Sequence, residues 1–150
     1  MRVVGRTLMV NNPKHRRLVS GSCTTKATND GRTKVTNGPV YDLKEAQELL
    51  KAHGLRVVTE SAGQDMSDFQ PELTDKELTN FILALDNDDY IDSERCKTSA
   101  NQTVDCDSYT MKWNRHRHCR WEYGKKIYVK FGFGLQNPLC LVVSIHLAKW

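Results

Sequence analysis

The chain has 150 residues, of which 39% are hydrophobic and 27% are charged, and its formal net charge is +4. A chain of this length can bury a core of its own, and these fractions are typical of globular proteins, which excludes wholesale disorder. It contains neither a run of eighteen apolar residues nor a leader of the secretory type, so we expect a cytoplasmic protein without a membrane partner.

The charge is divided into three blocks. Residues 1–40 hold eight Lys/Arg against one acid, a net charge of +7, and residues 112–150 repeat that balance. Between them, residues 60–94 hold eleven Asp/Glu against one Lys, a net charge of −10. Such a division favours binding of a polyanion to one face, although solvated surface charge is the simpler interpretation.

Residues 1–40 are rich in Asn, Gly, Thr and basic side chains. Only the stretch 2–10 has the β-branched and apolar content of a short strand, and the rest has too little apolar surface to bury. We therefore predict a basic, polar extension over 1–40, either disordered or loosely packed, and a folded domain over 41–150.

The stretch 41–54 is predicted to be a helix with both ends marked. Asp42 can cap its first turn together with Glu45, and Gly54 provides the left-handed residue that ends it. A short strand is predicted at 55–59.

A second helix is predicted to begin at Thr74, whose hydroxyl can cap while Glu77 reaches back toward it. Its apolar stripe has the spacing of one helix face and consists of Leu78, Phe81, Ile82 and Leu85.

The last third of the chain changes to a period of two, which indicates strands at 126–131 and 139–147. The residues predicted to face the core are Ile127, Val129, Phe131, Leu139, Leu141, Val143, Ile145 and Leu147. The Gly, Asn and Pro of 132–138 predict an antiparallel hairpin, and 103–113 is a plausible preceding strand. Helices followed by a β-meander place the chain in the α+β class.

Strict alternation along these two strands puts Tyr128, Lys130, Ser144 and His146 together on the face opposite the core. A phenol, an ammonium and an imidazole suit metal-free cleavage of RNA, in which a base activates the ribose 2′-OH, a cation stabilises the phosphorane and an acid protonates the leaving oxygen. Exposed side chains of an ordinary sheet would give the same pattern.

His116, His118 and Cys119 lie close together in the sequence, but a structural zinc site needs four ligands and the other cysteines lie singly in distant segments. The five cysteines, without a CxxC pair, predict reduced thiols. We therefore expect neither a metal nor another cofactor.

Several segments in order carry a resemblance to a known family. They are the first helix with GLRVVTESA (54–62), LTDKELTNFILALDNDDYIDSE (73–94), DSYTMKW (107–113), GKKIYVKF (124–131) and LVVSIHL (141–147). Together they resemble the motility quorum-sensing regulator family, the MqsR-like ribonuclease toxins of bacterial type II toxin–antitoxin modules.

The resemblance implies a RelE-like α+β fold in which a small antiparallel sheet packs against two N-terminal helices. It also implies a metal-independent, sequence-selective endoribonuclease that cuts messenger RNA, leaves a 2′,3′-cyclic phosphate and is neutralised by a cognate antitoxin protein.

The family's functional tyrosine falls on Tyr128, and the lysine two residues further on falls on Lys130. The family's lysine at the last strand falls on His146, which keeps a cation and adds a proton-transfer group. Two other family positions, a lysine and a glutamine, fall on Asp92 and Cys106. The resemblance thus implies catalysis by Tyr128, Lys130 and His146, and either Tyr128 or His146 can be the base.

The segment 113–131 is then interpreted as a basic loop that runs into the strand of Tyr128. Its predicted phosphate-binding residues are Arg115, Arg117, Arg120, Lys125 and Lys126. Trp113, Trp121 or Tyr123 could stack on a base, with burial in the core as the alternative.

Two alternatives stay open. The chain could be a non-catalytic module on the same fold that binds nucleic acid or protein, or a relative whose extension directs it elsewhere. The acidic segment around 86–92 could also be the surface on which a basic antitoxin lands.

Overall fold

The computed structural model describes residues 24–27, 33–134 and 137–148. Within these ranges the chain forms an eight-stranded sheet, three α-helices and a 3₁₀ helix at Asn87–Asp89. The strands are β1 Thr24–Ala27, β2 Thr33–Thr36, β3 Leu55–Val57, β4 Tyr90–Lys97, β5 Thr103–Asn114, β6 Cys119–Arg120, β7 Lys125–Phe133 and β8 Cys140–Leu147. The helices are α1 Leu43–His53, α2 Glu60–Asp68 and α3 Asp75–Leu83. None of these three described helices is long and apolar enough to cross a bilayer.

Seven strands follow one another across the sheet in the order β1-β2-β4-β5-β7-β8-β3, and β6 pairs with one end of β5. All pairings are antiparallel except that of β3 with β8, which is parallel. The α+β class is confirmed, but the sheet is mixed because the short β3 occupies the edge beside β8.

The first predicted helix is confirmed as α1. The Asp42 carboxylate accepts a hydrogen bond from the Glu45 backbone N–H, and Gly54 has a φ of +84°, which a residue without a Cβ adopts easily. The helix buries Leu43, Ala46 and Leu50. β3 follows at once, as predicted.

Three helices lie between β2 and β4 in the chain. The sequence predicts only two helices, both of them N-terminal to the paired strands. The additional helix, α2, is capped by Thr59 and buries only Ala62 and Met66. Two apolar residues among polar neighbours make a weak periodic signal, which explains why the pattern misses α2. In α3, Thr74 caps through the Glu77 N–H as predicted, but the Glu77 carboxylate accepts hydrogen bonds from Arg115.

The helices and the main core lie on one side of the sheet. The α3 residue Phe81 meets Trp113 of β5 edge to face, with ring centroids 5.3 Å apart, and Tyr109 stacks on Phe131 of β7. These rings and the buried residues of α1 and α3 belong to one apolar cluster. The opposite side of the sheet is left to polar side chains and to a second, smaller apolar cluster.

The predicted strict alternation in β8 is wrong because β8 contains a bulge. Lys130 faces Ser144 while the next residue, Phe131, faces Val142, so Val143 is an extra residue. Cys140, Val142 and Ile145 join the main core. Val143 and Leu141, which the alternation assigns to that core, pack in the second cluster with Val104 and Cys106.

The ordered sheet begins before residue 41, where the sequence analysis places the start of the domain. β2 pairs with both β1 and β4, and Val35 and Val40 are buried in the main core. The Asp107 carboxylate on β5 accepts the backbone N–H groups of Val40 and Tyr41 at 2.8 and 3.0 Å, which fixes the entry to α1. The strand predicted at 2–10 lies outside the described residues.

Candidate active site

Tyr128 and His146 form a stacked pair on the side of the sheet opposite the helices. They are direct partners in the register of β7 and β8, and their rings are nearly parallel, with centroids 4.8 Å apart. Both side chains are half-buried. The bulge at Val143 comes before His146 along β8, so it does not separate His146 from Tyr128. The predicted juxtaposition of the phenol and the imidazole therefore holds.

The backbone selects the tautomer of His146. Its Nδ1 lies 2.9 Å from the carbonyl oxygen of Leu147. A carbonyl oxygen only accepts a hydrogen bond, so Nδ1 must carry the proton. In the neutral imidazole, Nε2 then holds the lone pair that can take a proton from a substrate.

The hydroxyl of Tyr128 belongs to a chain of hydrogen bonds across three strands. It is hydrogen-bonded to Ser108 on β5, and the Ser108 hydroxyl donates to the Asp92 carboxylate at 2.6 Å. Burial, partly opposed by the charge of Lys130, raises the pKa of Tyr128 above the usual tyrosine value. Tyr128 therefore keeps its proton at neutral pH and can act as a donor.

Lys130 lies on the same side as Tyr128 and His146 but beneath the surface. Its side chain is only 7% exposed and its ammonium donates a hydrogen bond to the Glu94 carboxylate. Burial disfavours the charge, but the bond to Glu94 prevails and raises the pKa of Lys130 well above the usual lysine value. Lys130 is a permanent buried cation behind the pair.

Lys34 is a site residue that the sequence analysis missed. Lys34 lies on β2, and its ammonium contacts the Asp92 carboxylate and lies 3.9 Å from the Glu94 carboxylate. Although burial opposes it, hydrogen bonds from Lys34 and Ser108 lower the pKa of Asp92. Only the pairing of β2 with β4 brings Lys34 here, and the polar composition of 1–40 gave no signal of it.

Two of the five predicted phosphate-binding residues are held by carboxylates of this chain. Arg115 forms a bidentate pair with Glu77 of α3, at 2.8 and 2.9 Å, and its guanidinium lies over the Phe69 ring. Arg120 binds Asp89 through both terminal nitrogens and also contacts Asp86. These pairs tie the segment 113–131 to the helical side of the molecule.

The other three predicted cations lie differently. Arg117 and Lys125 are exposed, and Lys126 is half-buried and faces Lys112 across β5 and β7. Lys112, a cation that the sequence analysis did not select, is exposed and lies two register positions from Thr110, the partner of Tyr128. Lys112 and Lys126 therefore place positive charge beside the stacked pair.

The three predicted stacking aromatics separate into two groups. Trp113 is buried in the core, whereas Trp121 and Tyr123 are 46% and 76% exposed and meet edge to face. The two exposed rings lie on the segment between β6 and β7. They are available to a ligand, and Trp113 is not.

In the described part of the chain, which includes the HRHC segment, no group of three or more His, Cys, Asp or Glu side chains is placed to hold a metal ion. His116, His118 and Cys119 are all exposed. Cys106 is fully buried on β5, and burial raises its pKa well above the usual thiol value, so this thiol does not line the site.

Comparisons with known proteins do not assign this chain to a family. No family model matches the chain, and no match was found among curated proteins or solved structures.

Proposed function

We propose that this protein is a metal-independent endoribonuclease that cuts messenger RNA as the toxin of a type II toxin–antitoxin module. The observation that carries the proposal is the stacked Tyr128–His146 pair on a polar sheet face with a buried cation behind it. The resemblance to the MqsR-like toxins and the α+β fold also support it.

In the proposed reaction, His146 Nε2 takes the proton of a ribose 2′-OH. The 2′ oxygen attacks the adjacent phosphorus, the bond from phosphorus to the 5′ oxygen breaks, and a 2′,3′-cyclic phosphate forms. Tyr128 donates its proton to the departing 5′ oxygen, which it can do because the phenol keeps its proton at neutral pH. The proposal thus assigns the role of base to His146, because its Nε2 holds the free lone pair.

Lys130 supports this reaction without contacting RNA, because its ammonium is buried against Glu94. Its side chain lies two register positions from Tyr128 on the same face, where the Lys130–Glu94 ion pair holds the polar groups behind the Tyr128–His146 pair in place. Arg117, Lys125 and Lys126 are the proposed phosphate contacts, together with Lys112. Arg115 and Arg120 act instead by anchoring the segment that carries them.

The carboxylates proposed as an antitoxin surface are largely paired within this chain. Asp86 and Asp89 bind Arg120, and Asp92 binds Lys34. We therefore propose that a cognate antitoxin covers the exposed cations beside the Tyr128–His146 pair and so blocks access of RNA.

A non-catalytic nucleic-acid-binding module is the second candidate. The internal pairing of Arg115, Arg120 and Lys130 favours it, because these cations stabilise the fold and leave less charge for a transition state. The two candidates differ in whether RNA is cut, and not in whether it is bound.

The deciding experiment incubates a defined messenger RNA with purified protein in excess EDTA and maps the ends produced. We expect specific cuts that carry 2′,3′-cyclic phosphate, with a loss of about 100-fold or more in rate for His146→Ala and for Tyr128→Phe. Tyr123→Phe is the matched control because Tyr123 is exposed outside the pair. Intact RNA that is nevertheless bound in a salt-dependent manner would reject the enzyme and favour the binding module.

A further inference from the structure

A notch interrupts the edge of β5 beside the stacked pair. The pairing of β4 with β5 ends at Tyr90 and Tyr109, and that of β6 begins at Trp113 and Arg120. Among the described residues, no strand covers β5 on that side between these two pairings. The opening has a volume of about 300 Å³ and includes Thr110, Lys112, Trp121 and Lys126 in its lining.

The aromatic wall of this notch is held in place by the backbone. The Trp121 N–H donates to the Lys112 carbonyl at 3.0 Å, and the Gly124 N–H donates to the Trp121 carbonyl at 2.9 Å. Arg120, the residue before Trp121, is fixed to Asp89. An indole that is nearly half exposed is therefore presented on an anchored segment, which lowers the entropic cost of stacking a ligand on it.

The charge of the notch favours an anion with a flat ring. Lys112 and Lys126 face each other across β5 and β7 and both line the opening. The Arg120–Asp89 pair cancels its own charge, and Glu122 is the remaining acid of the lining. Two ammonium groups beside an exposed indole match the phosphate and base of one nucleotide.

The notch adjoins the proposed catalytic pair. Thr110 lines it and is the direct partner of Tyr128, which in turn faces His146. We infer that the notch is a nucleobase subsite, in which Trp121 stacks on one unpaired base of the RNA while Lys112 and Lys126 hold its phosphates. This inference rests on the proposed ribonuclease function and names Trp121 as a residue that positions the RNA strand beside the Tyr128–His146 pair.

The test uses oligomers that cannot be cut, so that binding is separated from catalysis. Fluorescence anisotropy measures the affinity of the full chain for 2′-O-methyl RNA 12-mers and for an abasic oligomer of the same length. Trp121→Ala should weaken binding of the base-containing oligomers about tenfold or more and leave the abasic oligomer within twofold. Trp121→Phe should keep part of the affinity, and Lys126→Met should weaken both oligomers.

Ile91→Ala is the control, since Ile91 is an exposed apolar residue on β4 that does not line the notch. Equal effects of Trp121→Ala on both oligomers, or none on either, would overturn the subsite. Base-dependent loss of affinity in a protein that cuts no RNA would uphold the subsite and reject the ribonuclease. Cleavage of natural RNA by Trp121→Ala with an unchanged kcat/KM would overturn the role of Trp121 in positioning the strand.

Discussion

Tyr128 and Lys130 are two residues apart on β7 and share one face, yet only one of them reaches solvent well enough to meet a substrate. Tyr128 is half-buried beside His146. Lys130 is bound to Glu94, and the two whole residues are only 5% and 3% exposed. The difference follows from their neighbours on β4 and β5, because Glu94 draws the ammonium inward. At the scale of single residues, the face therefore contains a half-buried pair of rings and a buried ion pair beneath it.

The buried pair makes Lys130 a residue on which stability depends. We expect Lys130→Met to lower the free energy of unfolding by about 3 to 5 kcal/mol, because it leaves the Glu94 carboxylate buried without its principal partner. Lys97→Met, at an exposed position on β4, should stay within about 0.5 kcal/mol of the wild type. Urea unfolding of both variants measures the difference.

The double variant Lys130→Met with Glu94→Gln identifies the cause. It should recover a large part of the loss, since it removes the uncompensated charge. A Lys130→Met protein as stable as the wild type would show that the ammonium is dispensable to the fold.

At the scale of elements, the close approach of β7 to β5 requires a residue without a Cβ at position 132. Gly132 faces Cys106 in the register of β7 and β5. A Cβ built at Gly132 would lie 2.1 Å from the Asp105 carbonyl oxygen and 3.1 Å from the Tyr41 hydroxyl. The backbone of β5 cannot move away without breaking pairs on both of its sides.

We therefore expect Gly132→Ala to destabilise the protein by about 1 to 3 kcal/mol. Gly63→Ala is the matched control, because Gly63 lies within α2 and a Cβ there meets no atom within 4 Å. That change should stabilise the protein by about 0.5 to 1 kcal/mol through helix propensity. Denaturant unfolding midpoints give both values, and a neutral Gly132→Ala would contradict the close approach to Asp105.

At the scale of the whole molecule, much of the charge segregation in the sequence is used internally. Lys34 from the first basic block meets Asp92 and Glu94 of the acidic block. Arg115 and Arg120 from the last basic block bind Glu77 and Asp89, which also belong to the acidic block. The blocks therefore hold the sheet, the helices and the 113–131 segment together, and only part of the basic charge is left unpaired on the described surface.

This arrangement predicts that the segment before residue 41 is required for the fold. A chain of residues 41–150 lacks β1 and β2, the buried Val35 and Val40, and the ion pair of Lys34 with Asp92. We expect it to unfold at a lower denaturant concentration than a chain of residues 24–150, which keeps both strands. Equal unfolding midpoints for the two chains would show that the β1–β2 hairpin is a dispensable arm.

Local patterns in the sequence were enough to predict α1, α3 and the antiparallel β7–β8 hairpin. The Asp42 and Thr74 caps, the Gly54 stop and the apolar stripe of α3 all act within a few residues, so neighbours in the chain decide them. The same reasoning placed Tyr128 and His146 on one face, because alternation is a local property of strands.

Contacts between distant segments were decided only by the tertiary structure. The bulge at Val143, the pairing of Lys34 with Asp92 and the capture of Arg115 by Glu77 depend on the register between strands and on how α3 packs. Lys34 and Asp92 are 58 residues apart, and no periodicity within either segment encodes their meeting. The sequence by itself thus determined the class of fold and the paired rings, whereas the packing of remote segments decided which charged side chains remain exposed beside them.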